Sequence, residues 1–209
     1  MQNNYDRIAS VYDFLARLVL GRDHTRSKFA LLDQVMPGDQ VLYCGGGSGL
    51  NLPYLLHRVG RFGGVVYVEP SVRMTILAKD RIASGNVDFV DSMAQVPPTR
   101  VFDVVMTQYL LDILDDRELD RFFGEVGRRV LPGTRWLVVD FYPKAHKKAV
   151  WKTMIQFFRL LVNHPRRDLP AYDTFFERFG WKVQQQVEWQ RGFMVAKVFR
   201  KEDNLADGG

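Results

Sequence analysis

The chain has 209 residues, 46% of them hydrophobic and 25% charged, which fits one globular domain with a sizeable core. A single cysteine, Cys44, excludes an internal disulfide framework and a cysteine-based zinc site, and no metal site is expected. The net charge of +5 would suit nucleic acid or an anionic membrane surface, yet no nucleic-acid motif accompanies it.

In chain order, residues 1–36 read as two helices forming an N-terminal cap. The start, Met-Gln-Asn-Asn-Tyr-Asp, has no apolar signal core, and no apolar run approaches ~18 residues, so a soluble, cytoplasmic protein is expected. Val41–Cys44 is the first strand, and it breaks into Gly45-Gly46-Gly47-Ser48-Gly49 before a helical pattern over Leu50–Val59. Strands follow at Gly64–Val68, Val87–Val90, Phe102–Thr107 and Thr134–Asp140, with helices at Val72–Ala83 and Arg117–Val130 between them. Pro132-Gly133 punctuates the entry to strand five. Residues 143–180 interrupt the alternation. Trp151, Met154, Ile155, Phe158, Leu161 and Val162 recur there at helical spacing and face a run of lysines and arginines, which reads as a helical lid. Val183–Glu188 and Phe193–Phe199 are close enough to pair as an antiparallel hairpin.

This order predicts an α/β fold: a Rossmann-like seven-stranded sheet, order 3-2-1-4-5-7-6, with strand 7 antiparallel, helices on both faces and a helical cap. Residues 1–200 form the domain: the cap at 1–36, a ligand-binding core at 37–142, the lid at 143–180 and the hairpin at 181–200. Residues 201–209 read as a polar, disordered tail.

In an open parallel sheet, ligands bind beyond the carboxyl ends of the strands where the strand order reverses, here between strands one and four. Strand one ends in the glycine loop, which lets a ligand approach bare backbone; a tight structural turn would look similar. The dinucleotide fingerprint would need glycine at position 50, where this chain has Leu50. Glu69 ends strand two, about twenty residues beyond Gly49, where a carboxylate can accept both hydroxyls of a ribose. Pro70 and Met74 could wall a purine. Asp91, Ser92 and Met93 end strand three; Asp91 could accept an exocyclic amine or simply cap the next helix. Strand four ends in Thr107-Gln108-Tyr109, whose backbone would border the reactive end of a ligand.

Together these residues resemble a class I S-adenosylmethionine (SAM)-dependent methyltransferase of the quinone-biosynthesis and small-molecule group. Val41–Gly49 matches the first motif of that family, Tyr67–Met74 the second, Val87–Asp91 the third, Phe102–Val105 with Leu110-Leu111-Asp112 the fourth, and Val130–Phe141 the fifth. The resemblance implies SAM as cofactor, S-adenosylhomocysteine (SAH) as product, and Gly45, Gly46, Gly47, Gly49, Glu69, Pro70, Met74, Asp91, Ser92, Met93 and Thr107 around the cofactor. The segment Tyr5–Asp13 resembles the family's start, where a tyrosine, here Tyr12, closes over the cofactor. Two positions depart from the family pattern. Tyr43 stands where an acid normally helps orient the methionine end of SAM, and Gly46 replaces a usual cysteine, which reads as a minor change.

The expected reaction is methyl transfer to an apolar or aromatic small molecule, at an oxygen, nitrogen or carbon left open, because Trp151, Phe157, Phe158, Tyr172, Phe175 and Phe176 crowd the lid. The same aromatics could simply pack the lid onto the sheet. Tyr5, Tyr12 and Asp112 are the candidate bases for an acceptor that begins protonated. Histidines 24, 146 and 164 read as ordinary cap residues. No nucleic-acid partner is expected; the basic rim of the lid adds weak contact with an anionic membrane surface, and the chain acts as a monomer or homodimer. Methylation of nucleic acid or protein, and non-catalytic SAM binding allowed by Tyr43, are the competing readings.

Overall fold

The computed structural model describes residues 21–83, 85–143 and 169–203. Helical residues 21–27 (α1) lead through a 3₁₀ turn at Leu32–Gln34 into β1 (Gln40–Cys44). There follow α2 (Leu52–Val59), β2 (Gly64–Val68), α3 (Val72–Lys79), β3 (Val87–Val90), β4 (Phe102–Gln108) and α4 (Asp116–Gly127). The chain closes with β5 (Val130–Phe141), α5 (Tyr172–Arg178), β6 (Trp181–Trp189) and β7 (Met194–Lys201). The seven strands form one sheet in the order β3-β2-β1-β4-β5-β7-β6, with β7 antiparallel to both its neighbours. This is the expected Rossmann-like topology.

Because β1, β2 and β4 are covered on both faces, they read as nearly unbroken apolar runs. On one face Val41, Tyr43, Val65, Tyr67, Val104 and Met106 pack with Leu52, Leu55 and Val59 of α2 and with Leu31, Leu32 and Val35. On the other, Val105, Trp136 and Val138 meet Leu119, Phe123 and Val126 of α4 and Tyr172 and Phe176 of α5. α4 starts at a capping box, the Asp115 carboxylate accepting from the Glu118 amide while Glu118 reaches back to the Asp115 amide. β5 begins four residues earlier than expected (130 against 134). Its register jumps from Phe102↔Val130 to Val104↔Arg135, so Pro132-Gly133 forms an irregularity within the strand rather than a turn before it. The Thr134 hydroxyl ties that irregularity down, donating to the Phe102 carbonyl and accepting from the Leu131 amide.

Tyr5, Tyr12, His146, His164 and the expected lid residues 151–162 lie outside the described residues. Among the described residues no helix is long and apolar enough to cross a membrane.

Candidate active site

The carboxyl ends of the parallel strands β1, β2, β4 and β5 lie along one edge of the sheet, with β1 beside β4 where the strand order reverses, the place where such sheets form a ligand crevice. After β1 the loop carries Gly45, Gly47 and Gly49 at φ of 66°, 62° and 67°, values that L side chains rarely adopt. Gly46 is different. Its φ is not positive, but a Cβ there would overlap Oη, Cζ and Cε2 of Tyr67. Glycine at this position therefore has a structural consequence beyond the minor change expected from the sequence: it makes room for a fully buried tyrosine whose hydroxyl donates to the Gly47 carbonyl at 2.8 Å.

Glu69 at the end of β2 is 9% exposed. Its Oε2 accepts the Gly47 amide at 2.9 Å and its Oε1 the Ser71 amide at 3.0 Å, so one carboxylate joins the loops after β1 and β2. Ser71 then caps α3 by accepting from the Met74 amide at 3.2 Å. Met74 is buried and Pro70 exposed. Asp91 is exposed at the end of β3, and Ser92, not Asp91, occupies the N-cap position of the 3₁₀ turn Met93–Gln95. Met93 packs inward, its sulfur 3.7 Å from that of Cys44. Burial pushes the Cys44 thiol far up, which makes it a core residue. The Thr107 hydroxyl accepts the Trp136 indole N–H at 2.9 Å, so that side chain faces the α4 side of the sheet.

Tyr109, the residue after β4, adopts φ 56°, a costly conformation for an aromatic residue. Its amide donates to the Val139 carbonyl at 2.7 Å. The Ser27 hydroxyl donates to the His24 carbonyl at 2.9 Å and shares a 2.6 Å hydrogen bond with the Tyr109 hydroxyl, which also lies 3.4 Å from the Met194 sulfur. The Tyr109 ring lies 4.6 Å from that of His24 and 4.8 Å from that of Phe141. The left-handed turn sends Leu110 over the glycine loop, where a Cβ on Gly45 would meet its side chain at 3.0 Å.

Asp140, fully buried near the end of β5, accepts the Leu111 amide on Oδ2 (3.1 Å) and the Phe141 amide (2.8 Å) and Tyr172 hydroxyl (3.2 Å) on Oδ1. Burial first, and the nearby Asp112 charge second, hold its carboxyl well above the usual carboxylate range. The structure thus brings Asp112, Asp140, Tyr109 and Tyr172 to the same end of the sheet as the glycine loop. Asp140 escaped the sequence reading although a polar residue closing the apolar run 136–139 was a visible signal. Asn51 and Ser27, buried near the same edge, carried no signal in the sequence, and Gln108 was marked there only for its backbone. Among the described residues no group of His, Cys, Asp and Glu could hold a metal ion.

Residues 41–133 match the family model described as "Methyltransferase domain". The ubiquinone/menaquinone biosynthesis C-methyltransferase UbiE of Vibrio vulnificus is 28% identical over 145 residues, which covers 66% of this chain and 55% of that protein. The chain spans about half the length of this curated relative and its Vibrio counterparts. A SAM-dependent methyltransferase of Aquifex aeolicus superposes with a TM-score of 0.60 at 21% identity, covering 83% of this chain and 88% of the other. The magnesium protoporphyrin IX methyltransferase of Synechocystis, solved with bound SAH, superposes with a TM-score of 0.65 at 17% identity, covering 96% and 97%. At these identities the two structures establish the shared fold.

Proposed function

We propose that this chain, which carries a class I SAM-dependent methyltransferase domain, transfers a methyl group from SAM to an apolar or aromatic small-molecule acceptor. The observation that carries the reading is the Glu69 carboxylate, held by the Gly47 and Ser71 amides at the rim of the crevice. An ionised carboxylate accepts more than two hydrogen bonds, and at the end of β2 it fits a ribose diol. Gly47 adds to the fit, since a Cβ built on it meets nothing within 4 Å and its backbone stays open to a ligand.

SAM, when bound, supplies an electrophilic methyl group. The protein's own part is alignment and exclusion of water. Glu69 and the loop would fix the nucleoside, and the left-handed turn at Tyr109 sets the wall at the β1–β4 gap. Tyr109 and Phe141, packed together beside that gap, give the acceptor side an aromatic character, which supports an apolar or aromatic ring, in keeping with the quinone named for the Vibrio relative. Asp112 is the one candidate base that lies among the described residues, and its charge acts on Asp140 beside it. It would take a proton from a phenol or amine acceptor.

Calorimetry tests the cofactor half. Wild type should bind SAM and SAH, and Glu69→Gln, which sets an amide NH₂ against the Gly47 or Ser71 N–H, should bind SAH about tenfold or more weakly. Wild type that binds neither would sink the proposal.

A further inference from the structure

We propose that Tyr43, Asn51 and Gln108 are positioning residues forming a latch: together they grip the carbonyl of Lys28 and so seat α1 against the cofactor crevice. The latch occupies the place where the family pattern has an acid. This rests on the SAM-binding reading above, because the gain it describes is cofactor affinity.

Three elements each contribute one side chain. Tyr43 comes from β1, two residues before the glycine loop; Asn51 comes from just after it; Gln108 ends β4. All three are buried, at 0%, 0% and 5% exposure. Asn51 is the first sign that something besides local structure is served. It holds the N-cap position of α2, where asparagine normally accepts from the helix's own amides, yet it makes no cap bond. Its amide turns away, and Nδ2 donates to the Lys28 carbonyl at 2.8 Å and to Gln108 Oε1 at 3.0 Å. Gln108 Nε2 donates to the same Lys28 carbonyl at 2.9 Å.

Two N–H groups on one carbonyl fix the orientation of both amides, because flipping either would set oxygen against oxygen. Asn51 Oδ1 and Gln108 Oε1 are thereby aimed at the Tyr43 hydroxyl, at 3.0 and 2.8 Å. That position needs a proton donor. A carboxylate at 43 would add a third acceptor to two amide oxygens in a dry site and would favour turning both amides off Lys28. Tyr43 is therefore matched to the latch, and a lost acid does not by itself imply a lost function. The gripped segment continues into the crevice wall through Ser27 on the Tyr109 hydroxyl and His24 on the Tyr109 ring. Seating α1 and shaping the gap between β1 and β4 are then one event, so ligand affinity and the order of residues 21–30 rise and fall together.

The test uses the full chain with Tyr43→Phe and Gln108→Glu, read by hydrogen exchange over residues 21–30 and by SAH calorimetry. Tyr43→Phe should raise exchange at 21–30 and weaken SAH by about tenfold, within the usual range for linked sites, while β1 and β4 keep their protection. Gln108→Glu should be loose at pH 8, where the carboxylate repels the Lys28 carbonyl. It should recover on acidification, when the carboxyl O–H donates to that carbonyl; a merely structural defect would not recover. Exchange at 21–30 and SAH affinity both at wild-type levels would overturn the latch, as would loosening spread evenly over β1 and β4. Local loosening with unchanged SAH affinity would overturn its link to the cofactor. Wild type that fails to bind SAM or SAH would instead refute the methyltransferase reading, and exchange would still decide whether the latch exists.

Discussion

Gly46→Ala is the sharpest perturbation of the glycine loop. The new methyl would land inside the van der Waals envelope of Oη, Cζ and Cε2 of Tyr67. That ring has little freedom to retreat: Tyr43 packs edge-on at 5.1 Å, Phe89 lies at 5.3 Å, and the hydroxyl is bonded to the Gly47 carbonyl. Overpacking of this kind costs about 1–3 kcal/mol. If the ring swings out, the Gly47 bond adds about 1 kcal/mol. The sum, about 2–4 kcal/mol, is a large share of the ~5–15 kcal/mol that holds an ordinary domain folded. Urea unfolding should show it as a lower midpoint with an unchanged slope. The contact, not the loop backbone, is the cause in this account, so the cost must vanish once Tyr67 is shortened. In a Tyr67→Val background, itself destabilised, Gly46→Ala should cost under about 0.5 kcal/mol, giving a coupling of about 1.5–4 kcal/mol. An equal cost in both backgrounds, or a negligible cost in the wild-type background, would refute the steric reasoning.

Two further outcomes follow from the other strand ends. Asp140 has its folded pKa raised, by burial first and Asp112 second. Above its unfolded value of about 3.9 the native state therefore holds the proton that the unfolded chain has released, and stability falls as pH climbs toward the folded value. Asp140→Asn should remove that slope; parallel curves of unfolding free energy against pH for variant and wild type would contradict the assignment. Tyr109→Phe deletes the hydroxyl that is hydrogen-bonded to Ser27, and should cost about 1 kcal/mol in thermal or urea unfolding. A neutral result would show that the hydroxyl does not anchor α1.

The sheet order and most strands were legible because covered parallel strands leave apolar runs of the right length and the glycines mark where they end. The exception was the start of β5, where Pro132-Gly133 carries a normal turn signal but lies inside the strand, held by Thr134. The glycine loop and the Glu69 strand end were legible for a related reason: their spacing reflects backbone geometry, which few residue types satisfy. The latch was not. Its central acceptor is the carbonyl of Lys28, and a main-chain oxygen leaves no trace in residue identity. Its donors, Asn51 and Gln108, are 57 positions apart and look like ordinary polar residues at element ends. Tyr43 was visible only as a departure from a pattern, and position alone could not say whether it was a loss or a replacement.

The strand ends share one construction. Loops beyond the sheet cannot be fixed by apolar packing alone, since one side must stay open for ligand. Here the loops around β1, β2, β4 and β5 are fixed by buried polar side chains that capture main-chain groups. Glu69 takes the Gly47 and Ser71 amides, Asp140 the Leu111 and Phe141 amides, and Asn51 with Gln108 the Lys28 carbonyl. Such bonds are strong where the site is dry, and they depend on the captured backbone rather than on its side chains. The loops of the crevice can therefore accept substitution at exposed positions such as Leu50 or Asp91 while keeping their path. The captors cannot be exchanged so freely, because each carries the donor or acceptor character that its backbone partners require. Tyr43 obeys the same rule one step removed. It contacts amide oxygens whose orientation is set by that backbone, and only a donor satisfies them. Loops held this way need little further ordering when a ligand binds, and under the proposed function the binding energy so saved is available to align the methyl group with its acceptor.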